Sequence, residues 1–243
     1  MNKSFLNTLL FKRLALLTRM GRYNLKIIFA GRFVWFVLAA LLFYVLLAIS
    51  LVFQPSGFDS SDVYAILVFP GMLLIFYPTV FGIQNDADAR ILEILFGIPD
   101  YRYKIWLVRL VMIFLLTWVF LLFFCLLGYY GLITFSVFKM SGQLMFPILF
   151  LGCLSFMVST IVKNGNGAAV VMVIIGVALL VLNEALERTY WNVFLNPYSI
   201  PRQMNEMVWS QIAYKNRIFL LIGSVVFLLI GLTNLQKREK FLK

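Results

Sequence analysis

Six apolar runs, each about 20 residues long, leave this chain little choice but to lie in a bilayer. They cover Phe33–Phe53, Val63–Ile83, Ile105–Leu127, Leu144–Val162, Ala168–Leu186 and Ile218–Leu235. The chain is 63% hydrophobic and 13% charged, against about 45–50% and about 25% in a soluble domain. That excess cannot fit inside one core of this length, so most of it must face lipid. The expected fold is an all-α integral membrane domain of six transmembrane helices over residues 1–243, with no polar segment long enough for a soluble domain.

Charge placement sets the expected orientation. Of the 21 Lys and Arg, fifteen fall in residues 1–32, 84–104, 163–167 and 236–243, and Arg109 falls inside the third run. The other five, Lys139, Arg188, Arg202, Lys215 and Arg217, fall in the alternate links. The positive-inside bias places both termini in the cytoplasm. It also accounts for the net charge of +11 without nucleic acid as a partner. The expected location is a cell membrane, the bacterial inner (cytoplasmic) one. No cleavable signal is expected, because about thirty basic, amphipathic residues precede the first run without a small-residue cleavage site.

Several chemistries lose their residues. Histidine is absent from the sequence, which removes imidazole as base or ligand. Cys125 and Cys153 both lie inside apolar runs and read as packing residues, not a disulfide framework. Lys163-Asn164-Gly165-Asn166-Gly167 is a turn between the fourth and fifth runs, and lacks the ending of a phosphate-binding loop. The chain is not expected to be an enzyme by itself. No catalytic, metal or cofactor residues are assigned.

Four pieces lie outside the runs. In residues 1–32, Lys12, Arg19, Arg22 and Lys26 share one stripe of a helical wheel, opposite Leu6, Leu9, Leu10, Leu17, Met20, Ile27 and Ile28. This is the pattern of an interfacial amphipathic helix. A plain positive-inside flank would need the charges but not their alignment. In residues 84–104, Asn85 or Asp86 can cap a short helix, with Asp86 four residues before Arg90. Ile91, Leu92, Ile94, Leu95 and Phe96 make that helix apolar until Gly97 and Pro99 stop it. Such a segment is too short to span and too apolar for a bare loop, so something should cover it.

Gly128–Gln143 is a short outer link. The longer outer segment, 187–216, is rich in apolar residues and divided by Pro197 and Pro201. It reads as two short re-entrant helices, or as an amphipathic helix on the outer surface. Pro70 and Pro78 interrupt the second run, as a hinge or as simple packing geometry. Glu184 stands near the outer end of the fifth run, within reach of water. Arg109 is placed to snorkel to the headgroups. Trp35 and Trp106 at the inner boundary, with Tyr129 and Tyr130 at the outer, have the positions of an interfacial belt.

The order of these parts resembles the membrane (permease) subunit of type-2 ABC exporters, and the likeness covers nearly the whole chain. Its most specific stretch is Ala89-Arg90-Ile91-Leu92-Glu93-Ile94-Leu95-Phe96-Gly97-Ile98-Pro99-Asp100-Tyr101-Arg102, similar to the family's Glu-containing helix that runs into Pro and then Arg. The resemblance implies a coupling helix over about Asp86 to Phe96, with Asp86, Arg90, Ile91, Glu93, Ile94, Leu95 and Phe96 meeting a separate ABC ATPase subunit. It further implies a second permease subunit, homo- or heterodimeric, with ATP and Mg held by the ATPase partner. Glu184, Pro197 and Pro201 would belong to an outer gate. The alternatives are an ion-coupled carrier, channel or membrane scaffold, and an intramembrane lipid-modifying enzyme. A carrier predicts paired buried charges near mid-membrane, and the sequence alone suggests none.

Overall fold

A computed structural model describes residues 33–53, 57–88, 102–201 and 204–235, with the side chains of 102–104 excepted. The described residues form helices and turns, with no strand among them. The helices are α1 (Phe33–Val52), α2 (Ser60–Val80), α3 (Gly82–Asp88), α4 (Val108–Gly131), α5 (Val137–Val162), α6 (Gly165–Ala185) and α7 (Glu206–Asn234). A π-helical turn, Arg102–Leu107, leads into α4. Among the described residues, six helical stretches are long and apolar enough to cross a membrane: α1, α2 with α3, Ile105–Gly131, α5, α6 and α7. The protein is a multi-pass membrane protein.

Local chemistry explains the helix ends. Asp59 caps α2 by accepting from the backbone N–H groups of Ser61 (2.8 Å) and Asp62 (3.2 Å). The Asp62 carboxylate returns the bond by accepting from the Asp59 N–H at 3.0 Å. This reciprocal box starts the helix three residues before the apolar run does. Between α5 and α6 the chain reverses in two residues. Lys163 ends α5 at a left-handed φ of 62°, and Asn164 caps α6 by accepting from Asn166 and Gly167.

Pro70 and Pro78 are both buried within α2, and the helix runs on through both to Val80. It breaks at Phe81, three residues after Pro78, and resumes as α3. A proline supplies no N–H to the carbonyl four residues earlier, so Pro78 weakens this last turn. Ser159 of α5 donates to the Val80 carbonyl at 2.8 Å, satisfying one acceptor at the break.

Helices α2 and α5 form the buried centre of the bundle, while α1 and α6 leave most of their surface open. Without a hydrophobic drive between helices in lipid, close backbone approach must supply the packing. Gly152 of α5 provides it. A Cβ there would lie 2.8 Å from side-chain carbons of both Ile75 and Phe114. Gly231 of α7 does the same against Phe156, where a Cβ would stand 2.7 Å away. Exposed residues such as Trp35 and Leu42 on α1 and Val170 and Ile174 on α6 form the surface suited to lipid.

The helices alternate in direction, which gives the bundle two distinct ends. At one end Phe36 of α1 stacks on Tyr77 at 4.8 Å, and Leu232 and Leu235 pack with Ile83 and Trp106. This end holds the start of α1 and the finish of α7, and is called the terminal face below. At the opposite face the starts of α2, α5 and α7 meet.

Two expected boundaries move. The final helix begins at Glu206, not Ile218, and at about 1.5 Å per residue its 29 residues outreach a hydrocarbon core about 30 Å thick. Asn205 caps it, accepting from the Met207 N–H at 3.2 Å. The expected pair of short helices in 187–216 is therefore not the arrangement found. Residues 206–216 continue directly into the last crossing, and 187–201 runs in turns. Likewise α5 begins at Val137, which shortens the link after α4.

Candidate functional site

At the terminal face the decisive contact is between Arg109 and Asp86. Arg109 Nη1 donates to Asp86 Oδ2 at 2.6 Å, with both side chains almost fully buried. The guanidinium also lies 4.9 Å from the ring centre of Trp106, one turn earlier. Arg109 Nε and Trp106 Nε1 are buried without an acceptor among the described residues. A second tie lies nearby, where the Gly165 N–H, at the start of α6, donates to Gln84 Oε1 at 2.6 Å. Asn85 Nδ2 donates to Tyr77 Oη at 3.3 Å. Between these elements a cavity of about 440 Å³ is lined by Phe36, Tyr77, Phe81, Gln84, Asn85, Asp88 and Asn166.

These contacts correct three expectations. Neither Asn85 nor Asp86 begins a helix, since both lie within α3. The second crossing continues helically to Asp88, so Asp86 falls on its inward side and meets Arg109. Arg109 does not snorkel, because a carboxylate inside the bundle holds it. Trp106 is no interfacial belt residue: it is 2% exposed, against 72% for Trp35. Buried charges do pair, then, though at the ends of their helices and not at mid-span.

The other sequence-derived sites are dispersed. Arg90, Ile91, Glu93, Ile94, Leu95 and Phe96 lie outside the described residues, as do Lys12, Arg19, Arg22 and Lys26. Glu184 is exposed in the last turn of α6. The Pro197 carbonyl accepts from Trp209 Nε1 at 3.3 Å, and the Pro201 carbonyl from the Met204 N–H at 2.9 Å. Pro70 and Pro78 sit in the α2 interior. Cys125 and Cys153 are free and buried. Among the described residues no three His, Cys, Asp or Glu come together as metal ligands would.

The opposite face carries a network that the linear pattern does not disclose. Arg217, counted from the sequence among the outer charges, is 6% exposed. Its Nε donates to Gln143 Oε1 at 2.8 Å, and its Nη1 to Asn216 Oδ1 at 2.9 Å. Its Nη2 reaches Tyr64 Oη at 3.4 Å and the Leu195 carbonyl at 3.3 Å. The Phe146 ring lies under the guanidinium at 5.4 Å. Every acceptor is neutral.

Asn216 ties down the turns of 187–201 by donating to the carbonyls of Tyr190 (2.9 Å) and Asn192 (2.7 Å). Asn196 links the same turns to α2, donating to the Ser61 carbonyl at 2.9 Å. Burial pushes the Tyr198 phenol up to about 12, so it stays neutral at physiological pH. One signal could have drawn attention to this cluster. Gln143 and Arg217 each stand immediately before an apolar run, where a polar side chain can turn either to water or inward.

Comparison with protein-family models, with curated proteins and with solved structures gives no match to this chain.

Proposed function

We propose that this protein is the permease subunit of an ATP-driven ABC exporter of the type-2 class, forming half of a translocation pathway and coupling to a separate ATPase. The observation that carries the reading is the buried Asp86–Arg109 pair, which ties the helical exit before the segment resembling a coupling helix to the crossing that follows it. A docking element can pass force into helices only if its ends are fixed to them. Here the exit from the second crossing and the entry to the third are joined by a charge-assisted bond inside the bundle. The Gln84 contact to Gly165 would carry the same displacement to α6.

In this reading the terminal face is cytoplasmic, the side that the positive charges of the sequence favour. Residues 1–32 are an interfacial helix, and the coupling helix runs from about Asp86 to Phe96. Asp86 acts as its anchor, and Arg90 and Glu93 as its contacts with the ATPase. The turns of 187–201, held by Asn216 and Asn196, close the outer end of the path. One six-crossing subunit makes half a pathway, so a second permease subunit completes it, with ATP and Mg on the partner ATPase. Rocking of helices between two packed arrangements would open the route.

The test is co-purification in detergent with an ATPase encoded in a neighbouring reading frame, followed by an ATPase assay of the complex. A stable complex whose hydrolysis depends on this subunit supports the reading. A chain that binds no such ATPase removes it, and leaves a six-crossing membrane protein. Ion-coupled carriage is the second reading that the buried charges raise. The position of Asp86 and Arg109 at helix ends, away from mid-span, favours an anchoring role over a coupling site.

A further inference from the structure

We infer that a cavity beside Arg217 binds the phosphate-bearing headgroup of an amphiphile that enters from the surrounding leaflet. The cavity, about 300 Å³, lies between α2, α6, the turns of 187–201 and the start of α7. Its lining is graded along the helix axes. Asn183, Glu187 and Ser199 stand toward the face where α2 begins, and Ala65, Val68, Phe69 and Leu180 lie deeper. Phe69 and Leu180, each 39% exposed, lie on the outer surface of the bundle, so the deeper half opens toward lipid and not toward water. A polar upper half above an apolar, laterally open lower half matches a headgroup with its first methylenes.

The charge comes from behind the wall. Arg217 is buried among neutral acceptors, and no carboxylate among the described residues pairs with it. A buried guanidinium without a counter-charge is costly, and an arriving anion would recover that cost. Its two longest bonds, from Nη2, go to Tyr64 and Leu195, and both of those residues line the cavity. A swing of the whole buried Tyr64 side chain about its Cα–Cβ bond would let a phosphate oxygen take the place of the phenol, in a geometry that guanidinium suits better than ammonium does. Glu187 shares the cavity but is exposed, where water and ions screen it, whereas the field of Arg217 acts through a low-dielectric wall. Asn183, Glu187 and Ser199 make no side-chain hydrogen bond among the described residues and are available to a headgroup. The inference concerns the bilayer-facing surface of this chain and stands whether or not an ATPase docks on it.

The test uses the purified full chain in dodecyl maltoside, followed by thermal unfolding during titration with three probes: dioctanoyl phosphatidic acid, dioctanoylglycerol and inorganic phosphate. The phosphatidic acid should raise the midpoint saturably, with the other two much weaker. Arg217→Gln should raise its apparent dissociation constant about tenfold or more, the loss expected for one charge-assisted contact. Tyr64→Phe keeps the ring and removes the competing hydroxyl, so it should tighten binding, which a merely structural Tyr64 would not do. This variant decides the matter if Arg217→Gln does not fold. Equal stabilisation by dioctanoylglycerol would overturn the inference, as would undiminished affinity in Arg217→Gln or weaker binding in Tyr64→Phe. Inorganic phosphate as potent as the lipid would overturn the amphiphile assignment in favour of a free-phosphate site.

Discussion

Arg109 and Asp86 meet at 2.6 Å inside the bundle although 23 residues separate them in the chain. The bond joins the end of one crossing to the start of the next, and closes the base of the segment between them. Removing one partner leaves an uncompensated buried charge, while removing both need not. Asp86→Leu alone is therefore expected to destabilise the protein by roughly 3–5 kcal/mol. Asp86→Leu with Arg109→Met should recover most of that loss. Thermal and denaturant unfolding in detergent measures both, and additive losses would refute the pairing argument.

Close packing around α5 makes a second prediction. Gly152→Ala would place a methyl 2.8 Å from Ile75 and Phe114, and should cost about 1–3 kcal/mol. Gly176→Ala meets nothing within 4 Å, and should be neutral or slightly stabilising. The comparison of the two unfolding midpoints isolates packing from helix propensity.

Orientation can be read by labelling. Asn166 and Ser199 are exposed at opposite faces of the bundle, and the native thiols are buried. In sealed cells a membrane-impermeant maleimide should modify Ser199→Cys and leave Asn166→Cys unmodified until the membrane is opened. The reverse pattern would invert the topology.

The coupling assignment makes its own prediction. Arg90→Ala with Glu93→Ala should weaken association with the ATPase while leaving membrane insertion unchanged. Pull-down of the complex measures it. Full association together with full ATP-dependent transport would remove these residues from the interface.

Asn216 holds the turns of 187–201 through two carbonyls. Asn216→Leu strands both acceptors, at a cost of about 1–3 kcal/mol. Because the loss is local, hydrogen exchange should accelerate in residues 190–196 and not in α5. Uniform acceleration would mean that the network supports the whole bundle.

How much of this was legible beforehand depends on the kind of information each feature carries. Six crossings follow from run length, and the α5–α6 reversal follows from Lys163-Asn164-Gly165-Asn166-Gly167. The start of α7 was not legible. Residues 206–216 are mixed in polarity and match no apolar window, yet Asn205 caps a helix that extends past the hydrocarbon core. An apolar run that ends at Ile83 makes Asn85 or Asp86 look like a cap, whereas the helical path continues to Asp88.

The sequence by itself determined the number of crossings and their approximate limits, because in lipid a long apolar run must satisfy its own backbone as a helix. It could not determine which polar residues at the run ends turn inward. Asp86, Arg109 and Arg217 all stand where an interfacial charge would stand, and linear position carries no direction around the helix axis. Only the packing of α2, α4, α5 and α7 decided that, by bringing Arg109 to Asp86 and Arg217 to Gln143 and Tyr64 across long stretches of chain.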